Sequence, residues 1–404
     1  MSFLNNFLPK NIEELFEKYI KSESTSAVLL LIVTAVSAIL ANSPLREAYL
    51  GFWHTKVSIP FELVDLNLSV RHWVNDAIMV LFFLMVGLEV ERSIYIGELS
   101  DFKSATLPIV AAVGGLLTPA LIYLFFNFGE PTEAGFGIPM ATDIAFSIGI
   151  LALLGSRVPF ALKIFLTAVA VVDDVGAIII IIIFYSQSLN YLYLFVSGLL
   201  LLVLWMMNYV KVEKLTLYLI PGVFLWYFVY KAGIHPTIAG VVLAFMIPFG
   251  DGSDSNSPSF QLLNLLNYPV AYFVMPLFAL ANATILFESD WFASLGQASS
   301  LGTIFGLILG KPIGILGMSL LAIWMGVAKL PKGVTPKMIL GVGMISGIGF
   351  TMSIFITNLA FTEEALVNDT KIAIIIASII SGLLGYGWLS FLFKRKDARA
   401  SDAD

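Results

Sequence analysis

Apolar stretches of roughly twenty residues follow one another through this chain with little between them, and that succession leaves few folds open. Hydropathy windows place them near 25 to 43, 73 to 96, 105 to 128, 136 to 153, 159 to 186, 191 to 210, 216 to 233, 235 to 249, 268 to 286, 303 to 326, 338 to 361 and 371 to 393. The reading is an all-α polytopic membrane protein of twelve helices. Only 12% of the residues are charged against 58% hydrophobic, about half the charged share of a soluble protein, so no sizeable soluble domain is expected. The lipid bilayer is then the first partner. The absence of cysteine removes disulfides and thiolate chemistry, and three scattered histidines are too few for a zinc or haem site. A net charge of -6 offers no basic surface, so nucleic acid is not a partner.

This division gives three regions. Residues 1 to 24 are charged and amphipathic, with Ile12, Leu15 and Phe16 set against Glu13, Glu14 and Lys18, too acidic for a signal-peptide start. Residues 25 to 393 form a single transmembrane domain, and 394 to 404 a charged tail. Sorting the lysines and arginines by loop puts sixteen on the side of the termini and five on the other, which makes both termini cytoplasmic. One of the 22 is left over, Lys311, inside a span.

The first extracytoplasmic loop has a different pattern. Trp53, Thr55, Val57 and Ile59 alternate with polar residues, Leu66, Leu68 and Val70 do the same, and Pro60 lies near the turn. The spacing predicts a β-hairpin over about 52 to 70. A lone hairpin is marginally stable in water, so it lies on its own helix ends or on a second copy of the chain.

Charges within the spans are few and costly, roughly 2.5 to 3.5 kcal/mol each at the centre of a helix. Asp143 lies in the run Ala141-Thr142-Asp143-Ile144-Ala145-Phe146, Asp173 and Asp174 are adjacent, and Lys311 lies in Gly310-Lys311-Pro312. At 1.5 Å per residue, Asp143 and Lys311 sit about 11 to 12 Å from one surface and Asp174 about 18 Å from it, all near the bilayer centre. Adjacent residues on a helix point about 100° apart, so one aspartate can pair with the lysine while the other faces a cavity. A purely structural ion pair between Lys311 and one aspartate leaves two carboxylates unexplained. Carboxylates, hydroxyls and carbonyls suit a hard monovalent cation, and the same carboxylates take protons when the cation leaves. Competition of cation and proton for one site is the logic of an exchanger. Glycine or proline interrupts the spans at Gly135 to Pro139 and at Gly341 to Gly349, one in each half, which points to two discontinuous helices flanking a midplane site.

With these residues in place, the chain resembles the NhaA-type Na+/H+ antiporters from about Ser24 to Phe393. The likeness runs through Asn75-Asp76-Ala77, Gly87-Leu88-Glu89-Val90, the Ala141 to Phe146 run, Asp173-Asp174, His235-Pro236-Thr237-Ile238-Ala239-Gly240, Pro276 to Ala283, Gly310-Lys311-Pro312 and Gly347 to Ser353. The resemblance implies twelve helices in an inverted repeat, crossed broken helices four and eleven, a bacterial inner-membrane location and a homodimer joined through the hairpin. It implies electrogenic export of Na+ or Li+ against entering protons, with no cofactor beyond the transported ions. Carried over residue by residue, Asp174 is the main carrier of cation and proton, and Asp173 is its neighbour paired with Lys311. Thr142 and Asp143 belong to the crossed helices, where Asp143 and Lys311 offset the opposed helix-end dipoles. Glu89, Glu91 and Arg92 match part of a cytoplasmic cluster that regulates by pH, although Glu91 stands where relatives often carry a basic residue. The segment Leu263 to Tyr268, with Asn264 and Asn267, lacks the Glu and His associated with that response. His235 either senses pH or caps the start of span eight. Two alternatives compete. An intramembrane aspartyl protease expects a Gly-x-Gly-Asp signature that is absent, and a proton-coupled carrier of an organic solute expects arginine at the midplane, where none lies.

Overall fold

The computed structural model describes residues 8–58, 66–186, 189–250, 257–289 and 291–401. The chain is mostly helical with one two-stranded sheet. Helix α1 (Leu8–Ala41) is followed by α2 (Arg46–His54), turned from it by 112°. Strands β1 (Lys56–Ser58) and β2 (Asn67–Ser69) pair antiparallel, Val57 opposite Leu68. The hairpin is therefore real but shorter than expected. Trp53 belongs to α2, buried at 3% exposure against Tyr49 and Phe52, because its large ring gains more from that contact than from a strand edge. Ile59, Pro60 and Asp65, at the expected turn, lie outside the described residues, as does the side-chain face of Ile12, Leu15 and Phe16.

The membrane body continues with α3 (Val70–Tyr95), α4 (Phe102–Asn127), α5 (Ile144–Leu153), α6 (Phe160–Phe184), α7 (Tyr191–Tyr209), α8 (Thr216–Lys231) and α9 (Thr237–Met246). It ends with α10 (Pro258–Asn282), α11 (Ala298–Trp324), α12 (Pro336–Ser346), α13 (Phe350–Ala360) and α14 (Glu364–Ser401). Among the described residues, eight helices are long and apolar enough to cross a membrane, and ten if each bent pair counts as one span. The segments expected at 216 to 233 and 235 to 249 coincide with α8 and α9, of 16 and 10 residues, below the roughly 20 that a full crossing takes.

Buried apolar side chains from α1 through α14 join in one continuous core. Lipid has no hydrophobic preference for one helix over another, so close backbone approach decides which helices touch. Helices α4 and α11 meet at Gly114 and Gly314, where a methyl group on either would strike the other's backbone carbonyl. In the same way a methyl on Gly240 of α9 would fall 2.5 Å from the Val80 carbonyl of α3. Helix α7 stands at the periphery, only 11% of its apolar window being buried. Three helices carry a π-helical turn, at Val74–Ile78 in α3, Val270–Val274 in α10 and Gly306–Gly310 in α11. Such turns insert an extra residue and re-aim the next turn of helix. In α11 that next turn begins with Lys311.

Candidate ion site at the crossing of two broken helices

Two helices lose their regular bonding part-way along, and their breaks meet. The first runs as a 3-10 segment, Glu133–Met140, becomes extended over 141–143, and restarts as α5. Pro139 has no amide hydrogen to carry the helix on. The second breaks between α12 and α13 with a bend of 50°. Gly347 fits this break because a methyl there would meet the Leu307 carbonyl and Ser381.

Asp143 lies at the centre of the crossing. Its carboxylate accepts from the amide of Phe146 at 3.2 Å, capping α5, and from the amide of Thr351 at 3.1 Å, at the start of α13. The Thr351 hydroxyl donates to it as well. One buried carboxylate thus faces the positive ends of both half-helices, the arrangement that helix dipoles favour. The Asp143 amide donates to the Ile348 carbonyl at 2.7 Å. Two serines complete a reciprocal pattern. Ser147 of α5 donates to the Ile345 carbonyl at 3.3 Å, and Ser353 of α13 donates to the Ile138 carbonyl at 2.7 Å.

Beside the crossing, α6 presents Asp173 and Asp174 in different directions. Lys311 Nζ donates to Asp173 Oδ2 at 2.6 Å, and both residues are fully buried. Thr142 Oγ1 lies 2.8 Å from the same oxygen and 2.9 Å from the Ser346 carbonyl at the end of α12. Its single proton can serve one acceptor at a time. Lys311 thus holds Asp173, and Thr142 reaches both that carboxylate and the buried carbonyl end of α12.

Asp174 faces a cavity of about 50 Å³, which it lines with Thr142, Asp143, Thr351, Ser26 and Glu89. Its Oδ1 is buried with no hydrogen-bond partner, as is Asp173 Oδ1. On this cavity Asp174 meets the Asp143 carboxylate and the Thr142 and Thr351 side chains, oxygen groups of the kind a hard cation takes. Among the described residues no three carboxylate or histidine side chains converge on one point, so the set on offer is two carboxylates with hydroxyl support. A volume of about 50 Å³ holds a few waters or a partly hydrated ion.

A second cavity, of about 520 Å³, opens beyond α3 and α13 and is lined by Asn75, Asp76, His235, Phe355, Asn358 and Lys371 among others. Phe355 of its lining packs against Phe83 and Phe278, with ring centroids 5.2 and 6.0 Å apart. Three asparagines are bonded together here. Asn282 Nδ2 donates to Asn75 at 2.7 Å, and Asn358 Nδ2 donates to Asn282 at 2.9 Å, tying α3, α10 and α13 together.

The residues expected to regulate are not gathered in one place. Glu89 lines the smaller cavity. Glu91 is buried and accepts from Ser259 of α10 at 2.7 Å, and Arg92 Nε is buried without a hydrogen-bond partner. His235 lines the larger cavity instead, with Nδ1 2.7 Å from the Thr237 hydroxyl and Nε2 3.6 Å from Asp76. Thr351, Ser346, Asn75 and Asn282 fall within the runs quoted from the sequence but are given no role there, and Asn358 is not singled out at all. The signal for Thr351 is a hydroxyl residue directly after a glycine-rich helix break.

The family model "Na+/H+ antiporter 1" matches residues 17–389. The Na+/H+ antiporter NhaA of Dechloromonas aromatica is 50% identical over 389 residues, covering 96% of this chain and 98% of its own. That of Cytophaga hutchinsonii is 46% identical over 383 residues, covering 95% and 97%, and NhaA 1 of Flavobacterium johnsoniae is 49% identical over 377 residues, covering 93% and 97%. The chain is a multi-pass membrane protein and belongs to the Na+/H+ antiporter 1 family.

Proposed function

We propose that this chain is an electrogenic secondary antiporter that exports Na+ or Li+ in exchange for entering protons. It is a transporter rather than an enzyme, and its substrates are the ions themselves. The observation that carries the reading is Asp174, a buried carboxylate with an unpartnered oxygen on a cavity sized for an ion, beside an aspartate already held by lysine. An unpaired buried charge is expensive, so Asp174 holds either a proton or a cation, and each displaces the other. Thr142 and Asp143 stand on the same cavity as the further ligands, and Asp173 becomes available when Lys311 or Thr142 releases it. Lys311 and Asp143 balance the charges of the crossing. The small cavity volume favours an ion over an organic solute, and no peptide fits there.

Alternating access accounts for the two cavities, with the Phe355 ring cluster and the asparagine bonds acting as the barrier between them. The charge asymmetry of the loops supports a bacterial inner-membrane orientation with both termini cytoplasmic, so that the cavity reaching Glu89 opens inward and the larger one outward. The reciprocal serine bonds, Ser147 to Ile345 and Ser353 to Ile138, support an inverted repeat, and twelve crossings follow if α8 and α9 traverse as short helices. Glu89, Glu91 and Arg92 are the candidates for pH regulation, and His235 serves chiefly to start α9. A single domain over 25 to 393, with cytoplasmic segments at 1 to 24 and 394 to 404, completes the layout.

The test is Asp174→Asn in vesicles. A sodium pulse that acidifies or alkalinises wild-type vesicles should move no protons through the variant, while its elution and melting profile stay unchanged. Normal exchange in the folded variant would remove Asp174 from the mechanism.

A further inference from the structure

The larger cavity carries positive charge that its carboxylates do not take up. Lys371, near the start of α14, is 3% exposed and makes no ion pair or side-chain hydrogen bond among the described residues. Arg71, in the first turn of α3, lines the same cavity, and its Nε is buried with no hydrogen-bond partner. The two cations are close enough to repel one another, and the carboxylate felt by both is Glu364. That side chain is 86% exposed and lies 3.6 Å from His54. The cavity's other carboxylate, Asp76, faces His235. Neither makes an ion pair with the buried Lys371 or the partly buried Arg71.

We infer that Arg71 and Lys371 hold a small inorganic anion, of which chloride is the simplest, in the larger cavity. A guanidinium and an ammonium donate hydrogen bonds and accept none, so the ligand that completes them accepts only. Leaving a buried ammonium without a counter-charge is unfavourable, and an anion between the two supplies one to both. The cavity, at about 520 Å³, admits a halide with several waters, so the site can be strong in charge without being closed. A cation leaving the midplane on this side passes two positive charges, and a resident anion lowers that barrier. This inference goes beyond the exchange reading, and the binding it describes needs no transport.

The test uses the full-length protein in detergent, with gluconate replacing chloride at constant sodium and ionic strength. The chloride-35 NMR line should broaden saturably on wild-type protein and narrow again as bromide is added. Chloride should also raise the melting temperature over gluconate, since a ligand of the folded state stabilises it. Lys371→Gln and Arg71→Gln should each weaken the effect roughly tenfold or more, whereas Lys371→Arg should retain it. Failure of Lys371→Gln to fold leaves the wild-type titration and Arg71→Gln to decide. No saturable broadening in wild type, or broadening equal in both glutamine variants, would overturn the site. Loss of chloride binding with sodium-driven proton flux intact separates this outcome from failure of Asp174 as carrier.

Discussion

Lys311 and Asp173 make the clearest energetic statement at the scale of single residues. Both are at 0% exposure, 2.6 Å apart, with Thr142 on the same oxygen. Taking two charges into a low-dielectric interior costs about what their attraction returns, so the pair adds little net stability, but removing one partner strands the other. Lys311→Ala should therefore cost about 3 to 5 kcal/mol and lower the melting temperature in detergent. The double replacement Asp173→Asn with Lys311→Gln should restore most of that loss. An unchanged melting temperature in the single variant would argue against the pair as a structural element. The sequence marks Lys311 plainly, as the one basic residue that loop counting leaves inside a span. It does not say which aspartate pairs with it. The 100° divergence of adjacent residues separates Asp173 from Asp174, and only the approach of α11 to one side of α6 makes the choice. The double capping by Asp143 is less legible still, because its second partner, Thr351, is 208 positions away.

Helices break where glycine and proline interrupt apolar runs, and both broken helices are readable for that reason. The hairpin misleads because alternation over four residues does not exclude a helix, and Trp53 buries its ring in α2 rather than in a strand. The π-helical turns leave no local mark. Val74–Ile78 and Val270–Val274 are ordinary apolar sequence around at most one charge, so the inserted residue reflects packing of neighbouring helices. Packing can be tested at the α4–α11 contact. Gly314→Leu should cost about 1 to 3 kcal/mol or more, since its side chain must displace the Gly114 backbone. Gly317, three residues on, has nothing within 4 Å where a Cβ would be placed. Gly317→Leu is thus the control, and its melting temperature should stay near wild type. Leucine forms helix better than glycine, so equal losses at both positions would show that the effect does not come from the Gly114 contact.

On the scale of the whole molecule, hydropathy locates the apolar segments but overstates how many are full-length helices, because it cannot see α8 and α9 ending early. The hairpin has only three residues in each strand, and Val57 is 47% exposed although its carbonyl accepts from Trp73 Nε1. A ribbon so short gains stability from a second copy more readily than from water. Replacing residues 56 to 69 with a short glycine-serine linker should lower the dimer fraction seen by cross-linking, with sodium-driven proton flux retained. Dimers at wild-type level after that replacement would place the interface elsewhere.

Asp143 sets a mechanical limit on any such transporter. It is bonded to α5 and α13 through one carboxylate, and its amide is bonded to the strand of chain between α12 and α13. Sliding one broken helix past the other strands that carboxylate and frees two helix ends at once, beside a cavity of only about 50 Å³. If the chain works by the alternating access proposed above, the crossing is expected to move as one rigid body. The displacement that exposes it to alternate sides falls on the surfaces where it meets its neighbours, the ring contacts of Phe355 with Phe83 and Phe278 and the Asn358 to Asn282 bond.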